Sequence, residues 1–441
     1  MGGANLSVRS TGHLALVGDH AVRGAGVLTI SPPMKRHSVR YYNDTARAAL
    51  SAAGRARAGG GLAEYYSEGE TRAPVWLCVG DTEKAAALVG LSAADRAGGP
   101  ADMDAVARWL DDGTAPNGAR GRAFNARSTH GFDLTFCAPK SVSMWRALAT
   151  DDVTSKALLD AHNVAVREAM AYLHTHAGYT RVHNPQTGRK DLQRLPGLVA
   201  AAYQHETSRA GDPHLHTHVL LPNTQPRADG TLVSIDSKSL HHEAKAAGII
   251  YQITLRHETH QSLGLEWGPI DPHTGMAEIA GVDRDQLAAG SQRATQLRQW
   301  AEHNLILNED AEGSAAQLAA AQRATRPAKP EHKPWAELRQ EWATRFGAFL
   351  IEEQAQVQAR RQRETQPINV LTAARTAAAG IDKPAFTRAD LIETIGARMP
   401  VVVKGAPVGP RDLLEAMAER LGVRINQPRQ AHEREGHDRF T

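Results

Sequence analysis

Two strand-like segments that flank a loop at residues 206–213 are the feature of this sequence that most limits its fold. Residues 198–204 and 214–221 are rich in apolar residues, whereas the loop between them contains Gly211 and Pro213, which favour turns. If the two segments pair as antiparallel neighbours, the residues at their adjoining ends lie side by side. The sequence therefore predicts an antiparallel sheet that contains this pair of strands.

Three histidines lie where these segments adjoin the loop. His216 and His218 alternate along the second segment, so on a strand they share a face and lie about 7 Å apart along the backbone. His205 follows the first segment and can lie beside that pair. Three imidazoles on one sheet face suit a divalent metal ion, with coordination positions left for water or substrate. His214 follows the same alternation but comes directly after Pro213, so we expect it at the edge of the site.

The remaining helix and strand patterns predict an α+β fold. Further strands are predicted over residues 26–30, 75–79, 132–136 and 231–235. Long helices are predicted over residues 35–53, 153–175, 239–263 and 335–360. We expect an antiparallel β-sheet with helices on one face, followed by a mainly helical C-terminal region. The proline-rich stretch at residues 326–334 reads as the linker between them.

Several functional classes are excluded by composition and motifs. No run of about 18 apolar residues occurs, so no membrane-spanning helix is expected. The two cysteines, Cys78 and Cys137, are too few for a disulfide framework and fit a reducing cytoplasm. No Walker A motif is present, so we expect no ATPase activity. The net charge is only +3, but residues 34–63 hold six Lys and Arg against one acid, a patch that can face phosphates.

Tyrosines and one aspartate complete the candidate site. Four of the eight tyrosines form two adjacent pairs, Tyr41 with Tyr42 and Tyr65 with Tyr66. A tyrosine hydroxyl has a pKa of about 10 and attacks only when it is oriented or when a metal ion activates the electrophile. Aromatic packing is the alternative role of such pairs. Asp133, on its own predicted strand, can orient a histidine ligand, accept the tyrosine proton or cap the next segment.

Together these motifs resemble the MobF class of conjugative relaxases, the TrwC/TraI type of the HUH endonuclease superfamily. The resemblance rests on HETSR at residues 205–209, DPHLHTH at 212–218 and DLTFCAPKSVS at 133–143. It covers roughly residues 26–325. It implies the HUH relaxase fold and a divalent metal ion (Mg²⁺, Mn²⁺ or Zn²⁺) bound by three histidines, His205, His216 and His218.

The resemblance also implies roles for the tyrosines. Tyr41 is expected to attack one phosphodiester at the origin of transfer and leave a 5′-phosphotyrosine and a free 3′-hydroxyl. Tyr42 and Tyr65 are the alternative nucleophiles, and Tyr65 matches a second pair assigned to strand transfer at termination. Asp133 matches the family's acidic residue near the site. DNA contacts are expected from Arg40, Lys140 and Arg209.

Two features depart from the family pattern. The segment between the tyrosine pairs, residues 46–61, is longer than usual, which bears on the reach of Tyr65. His214 stands where the family usually has a different polar residue, which bears on metal preference.

The resemblance predicts the domain organisation and partners as well. We expect a flexible leader at residues 1–25, a relaxase domain at 26–325, and a linker with a small helical region at 326–441, leading towards a helicase domain that is not in this sequence. Expected partners are single-stranded or hairpin origin-of-transfer DNA, relaxosome accessory proteins and a type IV secretion coupling protein, in the bacterial cytoplasm without a membrane anchor. The alternatives are a rolling-circle replication initiator, a metal-dependent phosphoesterase without a covalent intermediate, and a DNA-binding protein that no longer cuts.

Overall fold

The computed structural model describes residues 28–57, 73–272, 274–304, 324–325, 333–365, 369–399, 409–423 and 439–440. Its strands are β1 (Leu28–Ile30), β2 (Val75–Gly80), β3 (Gly131–Cys137), β4 (Tyr179–His183), β5 (Lys190–Arg194), β6 (Gly197–Thr207), β7 (Pro213–Pro222), β8 (Thr224–Pro226), β9 (Leu232–Ser234), β10 (Phe386–Thr387) and β11 (Arg439–Phe440). Five of them form one antiparallel sheet in the order β1-β3-β7-β6-β2. The predicted pairing of the two histidine-bearing strands is therefore confirmed.

The helices surround this sheet. They are α1 (Arg40–Arg57), α2 (Thr82–Leu88), α3 (Ala93–Arg96), α4 (Met103–Asp112), α5 (Lys140–Leu148), α6 (Asp152–Ala177), α7 (Ser237–Leu263), α8 (Arg284–Ala289), α9 (Gln292–Asn304), α10 (Trp335–Phe346), α11 (Glu353–Thr365), α12 (Val370–Ala379), α13 (Arg388–Gly396) and α14 (Pro410–Leu421). Local signals set their ends: Asp236 caps the start of α7 by accepting from the Ser239 backbone N–H, and Gly264 ends it in the left-handed region, with φ of 64°.

Strand alternation divides the hydrophobic core between the two faces of the sheet. Leu134, Phe136 and Val219 pack with the long helices α6 and α7 on one face. Val199 and Leu220 belong to a second cluster on the other face, which also includes residues of α1, α2 and α4. The predicted α+β class, with an antiparallel sheet and long helices on one face, is confirmed, and the structure adds shorter helices on the opposite face.

Helix α1 begins later than the predicted start at Lys35. The Lys35 backbone N–H donates to Ser38 Oγ at 3.0 Å, and His37 has a φ of 67°, so these residues form a turn. A histidine at positive φ interrupts a helix, because side chains other than glycine are strained there. The helix therefore starts at Arg40, and this turn fixes where its tyrosines point.

The predicted single helix over residues 335–360 is wrong. Two helices, α10 and α11, occupy this region, and the chain between them passes through Gly347 at a φ of 70°. A left-handed residue ends a helix, and glycine adopts it without strain. The glycine was visible in the sequence, but the alanine- and glutamine-rich residues around it favoured a continuous helix.

The C-terminal helices pack onto the main core. Leu391 of α13 and Leu414 of α14 lie in the same apolar cluster as residues of α6 and α7. None of the helices in the described ranges is long and apolar enough to cross a membrane.

Candidate metal centre and nucleophile

The three predicted histidines lie together on the face of the sheet opposite α6 and α7. The register of β6 and β7 places His205 directly across from His216, and Tyr203 across from His218. One ligand nitrogen from each histidine lies within 4.8 Å of the others, and the three ring centroids are 5.1–5.2 Å apart. Within the described residues this is the one group of three or more such side chains placed to hold a metal ion.

The chemistry of these side chains fits a divalent metal ion. His218 Nδ1 lies 2.9 Å from Asp133 Oδ1, and His216 Nδ1 lies 2.8 Å from the His214 carbonyl oxygen. Such contacts orient the imidazoles and leave the second ring nitrogen of each to bind metal. Burial, followed by the nearby His218, lowers the pKa of His216 to about 3, so its ring is neutral, as a ligand must be.

His214 lies beside this group and not within it. Its ring stacks on His216 with centroids 4.6 Å apart, and its side chain is not part of the metal-competent cluster. The expectation that it lies at the edge of the site agrees with this placement.

Asp133 is the centre of the hydrogen bonds around the histidines. Besides His218, it accepts from the Tyr42 hydroxyl at 2.7 Å, from Ser31 Oγ at 3.3 Å and from Thr135 Oγ1 at 3.2 Å. Burial by itself raises the pKa of Asp133, but the hydrogen bond and charge of His218, with the bonds from Tyr42 and Thr135, outweigh it and hold the pKa below its usual value. Asp133 is therefore a carboxylate at neutral pH.

The two tyrosines of α1 have different surroundings. Burial and the adjacent Asp133 carboxylate raise the pKa of Tyr42 far above its usual range, so its hydroxyl stays protonated and donates to Asp133. Tyr41 is 38% exposed, and its hydroxyl accepts a hydrogen bond from Arg209 at 3.0 Å. The Arg209 guanidinium also lies 5.3 Å from the centre of the Tyr41 ring. Only Tyr41 of this pair combines an accessible hydroxyl with a cation beside it.

The remaining predicted site residues differ in their placement. Arg40 is exposed at the first position of α1. Lys140 is partly buried; its Nζ donates to the Pro213 carbonyl at 2.7 Å, and burial lowers its pKa to about 8. This ammonium anchors the start of β7, and DNA contact by Lys140 stays a prediction. Tyr65 and its neighbour Tyr66 lie outside the described residues.

A buried ion pair behind the site was missed by sequence reasoning. Arg146 of α5 donates from Nε to both Glu206 carboxylate oxygens at 3.0 Å and from a terminal nitrogen at 2.8 Å, and both side chains are at most 3% exposed. Gln204 adds a further hydrogen bond to Glu206. The available signal was strand alternation: if His205 faces the site, Glu206 faces the core, and a buried carboxylate requires a cationic partner.

The family of this chain is decided by comparison with known proteins. The TrwC relaxase family model matches residues 35–349. The chain belongs to the TrwC relaxase family. The multifunctional conjugation protein TraI of Escherichia coli is 38% identical over 205 residues, and TraI of E. coli strain K12 is 35% identical over 205 residues. Each alignment covers 44% of this chain but 11% of TraI, so the chain matches about a tenth of the length of these relatives.

Solved structures of a TrwC relaxase share the fold. The conjugative relaxase TrwC in complex with oriT DNA superposes with a TM-score of 0.58 at 26% identity, covering 73% of this chain and 99% of that chain. A metal-bound TrwC–oriT complex superposes with a TM-score of 0.55 at 26% identity, covering 72% of this chain and 96% of that chain. TrwC with a 27-mer DNA comprising the recognition hairpin and the cleavage site superposes with a TM-score of 0.54 at 25% identity, covering 73% of this chain and 99% of that chain.

Proposed function

We propose that this chain is a site- and strand-specific DNA relaxase that nicks single-stranded origin-of-transfer DNA by tyrosine attack during plasmid conjugation. The observation that carries the proposal is one arrangement: Tyr41 is exposed with its hydroxyl beside Arg209, and its neighbour Tyr42 contacts both the buried Asp133 and the ring of His218 in the three-histidine group. Membership of the TrwC relaxase family supports it.

The proposed reaction is a transesterification that needs no further reactant. Tyr41 Oη attacks the phosphorus, the bond to the 3′ oxygen breaks, and the proton lost by tyrosine is balanced by the one gained by the leaving hydroxyl. Arg209, 3.0 Å from Oη, stabilises negative charge as it develops there. His205, His216 and His218 would hold a divalent ion, which would supply polarisation of the phosphodiester.

Asp133 and Tyr42 act on the geometry of the site in this proposal. Asp133 orients His218 through Nδ1 and leaves its other ring nitrogen to bind metal. Tyr42 donates to the same carboxylate, which holds α1 against the sheet. Its ring lies 5.1 Å from the His218 ring. The family resemblance assigns a strand-transfer role to Tyr65, which we retain as a proposal.

Covalent capture tests the proposed function. The purified chain is incubated with 3′-labelled single-stranded oligonucleotides that tile the intergenic DNA beside its gene, with Mn²⁺ or with EDTA, and then boiled in SDS. We expect one oligonucleotide to leave a labelled adduct with the protein in Mn²⁺ and none in EDTA. Cleaved DNA with two free ends and no adduct would instead identify a phosphoesterase. DNA binding that needs no metal and leaves the DNA uncut would identify a DNA-binding protein that no longer cuts.

The origin of the captured DNA separates conjugation from replication. Capture of a site beside genes for transfer, followed by transfer of a plasmid carrying that site, supports the relaxase; capture at an origin that drives replication supports the rolling-circle initiator. Relaxosome accessory proteins and a type IV secretion coupling protein, in the bacterial cytoplasm, are the partners that we propose with the first outcome.

A basic surface next to α1 is the proposed DNA-binding surface. Residues 113–130 contain no acidic residue. Their arginines are exposed and are Arg120, Arg122 and Arg127. Lys35, in the turn before α1, donates from Nζ to the backbone carbonyls of Arg127 at 3.2 Å and Ser128 at 2.9 Å. This contact holds the segment that bears these arginines against the turn before α1.

Salt dependence tests this surface. Alanine at Arg40, Arg122 or Arg127 is expected to weaken DNA binding, and each lost phosphate contact should lower the slope of log K against log salt by about 1. Fluorescence anisotropy from low to moderate salt measures the slope. Arg375→Ala is the matched control, because Arg375 is exposed on α12, which packs in the core on the opposite face of the sheet. Unchanged slopes in all three variants would place the DNA elsewhere.

A further inference from the structure

The loop between β6 and β7 is an ordered turn that presents Arg209 to Tyr41. The Ser208 backbone N–H donates to the Asp212 carbonyl at 2.9 Å, and the Gly211 N–H donates to the Ser208 carbonyl at 3.0 Å. Ser208 Oγ also accepts from the Asp212 N–H at 3.2 Å. Gly211 has a φ of 76°, a conformation that favours glycine. The position of the Arg209 backbone therefore depends on a turn of a few residues.

Helix α10, more than a hundred residues further along the chain, holds this turn from outside. Trp342 Nε1 donates to the Gly211 carbonyl at 2.8 Å, and an Arg345 terminal nitrogen donates to Asp212 Oδ1 at 3.2 Å. The other oxygen of Asp212 accepts from the Arg293 backbone N–H at 3.3 Å. Asp212 is fully buried, so its carboxylate depends on such donors.

Helix α10 is itself fixed to the body of the domain. Trp335, Leu338 and Trp342 are buried in a small apolar cluster with Ala147 of α5. The two tryptophan rings pack edge to face at 5.8 Å, and the Arg146 guanidinium lies 5.0 Å from the Trp335 ring centre. Because α10 contacts both α5 and the β6–β7 turn, it fixes the position of the turn relative to α5.

We propose that Trp342 and Arg345 are positioning residues that hold the β6–β7 turn so that Arg209 meets Tyr41. This inference rests on the proposed function for the meaning of the Arg209–Tyr41 contact. Because a displacement of about 1 Å in a catalytic group can cost about a hundredfold in rate, a turn released from α10 loses catalysis without losing substrate binding.

Trp342→Phe is the variant that separates positioning from packing. Phenylalanine retains an aromatic ring in the cluster but removes the Nε1 donor to Gly211. The rate of adduct formation at saturating DNA is expected to fall about ten- to a hundredfold, with the DNA dissociation constant changed by less than about threefold. Trp335→Phe, in the same cluster but without that contact, is the control and should stay near the wild-type rate. Equal losses in both variants would overturn the proposal.

A double-mutant cycle shows whether the effect passes through Arg209. In an Arg209→Ala background, Trp342→Phe should cause little further loss of adduct formation, because the group that it positions has been removed. If Trp342→Phe costs the same in both backgrounds, the two residues act independently and the proposal is wrong.

Hydrogen exchange tests the same inference without catalysis. The backbone amides of Ser208 and Gly211 are hydrogen bonded within the turn and should exchange faster in Trp342→Phe than in Trp335→Phe, while amides of β6 and β7 keep their wild-type rates. If the wild-type protein forms no adduct, the proposed function is wrong. The hydrogen-exchange comparison then still decides whether Trp342 holds the turn. Unchanged exchange in the turn would overturn the inference, whatever the outcome for nicking.

Discussion

Tyr41→Phe is expected to reduce covalent capture of origin DNA by at least about a thousandfold, while DNA affinity stays within about threefold of wild type. The substitution removes one oxygen atom from a side chain that is partly exposed and whose hydroxyl meets Arg209 at 3.0 Å. The ring and its contacts with the cation are retained, so the loss concerns the attacking atom. Single-turnover reactions stopped in SDS, with anisotropy for binding, measure the two quantities.

Tyr42→Phe is the matched control on the same helix turn. Its hydroxyl is a buried donor to Asp133, with a pKa raised by burial and by that carboxylate, so it is a poor nucleophile at neutral pH. Its loss should cost about ten- to a hundredfold in adduct formation, the range typical of a residue that orients a metal ligand through a neighbour. Full capture by Tyr41→Phe would move the nucleophile to Tyr42 or Tyr65.

The different roles proposed for these two tyrosines mark the limit of what the sequence predicts. Alternation along a strand is a local rule, so the common face of His216 and His218 followed from their spacing alone, and the place of His205 beside them followed from the predicted pairing of the two strands. Which tyrosine of an adjacent pair meets Asp133 depends on the phase of α1 relative to the sheet. That phase is set by the turn before the helix, where His37 adopts a positive φ that no pattern of apolar residues indicates.

Contacts distant in sequence were the other part that could not be predicted. Lys140 and Arg209 are both basic residues in motifs of the family, yet one donates to a backbone carbonyl at the start of β7 and the other meets Tyr41. Their surroundings differ: the Lys140 ammonium is buried, which lowers its pKa to about 8, and is hydrogen bonded within the protein, whereas Arg209 lies in an exposed contact with Tyr41. The contact of Trp342 with the β6–β7 turn joins residues 131 positions apart, and no local sequence pattern indicates it.

Arg146→Met is expected to lower the free energy of unfolding by about 3–5 kcal/mol, because it leaves the Glu206 carboxylate buried without its cation. The two side chains are at most 3% exposed and share three hydrogen bonds, so water cannot replace the lost partner. Urea denaturation measures the change. Lys156→Met, which removes an exposed pair with Asp160, is the control and should cost less than about 1 kcal/mol.

The double substitution Arg146→Met with Glu206→Leu separates stability from function. Replacing both charges with apolar side chains should recover much of the lost stability, since a buried ion pair contributes little over apolar packing once its desolvation is counted. Glu206 follows His205 directly, at the bulge where the register between β6 and β7 shifts. If the double variant is stable but binds Mn²⁺ more weakly than wild type, the ion pair fixes the position of His205. If Mn²⁺ affinity is unchanged, the pair stabilises the fold only.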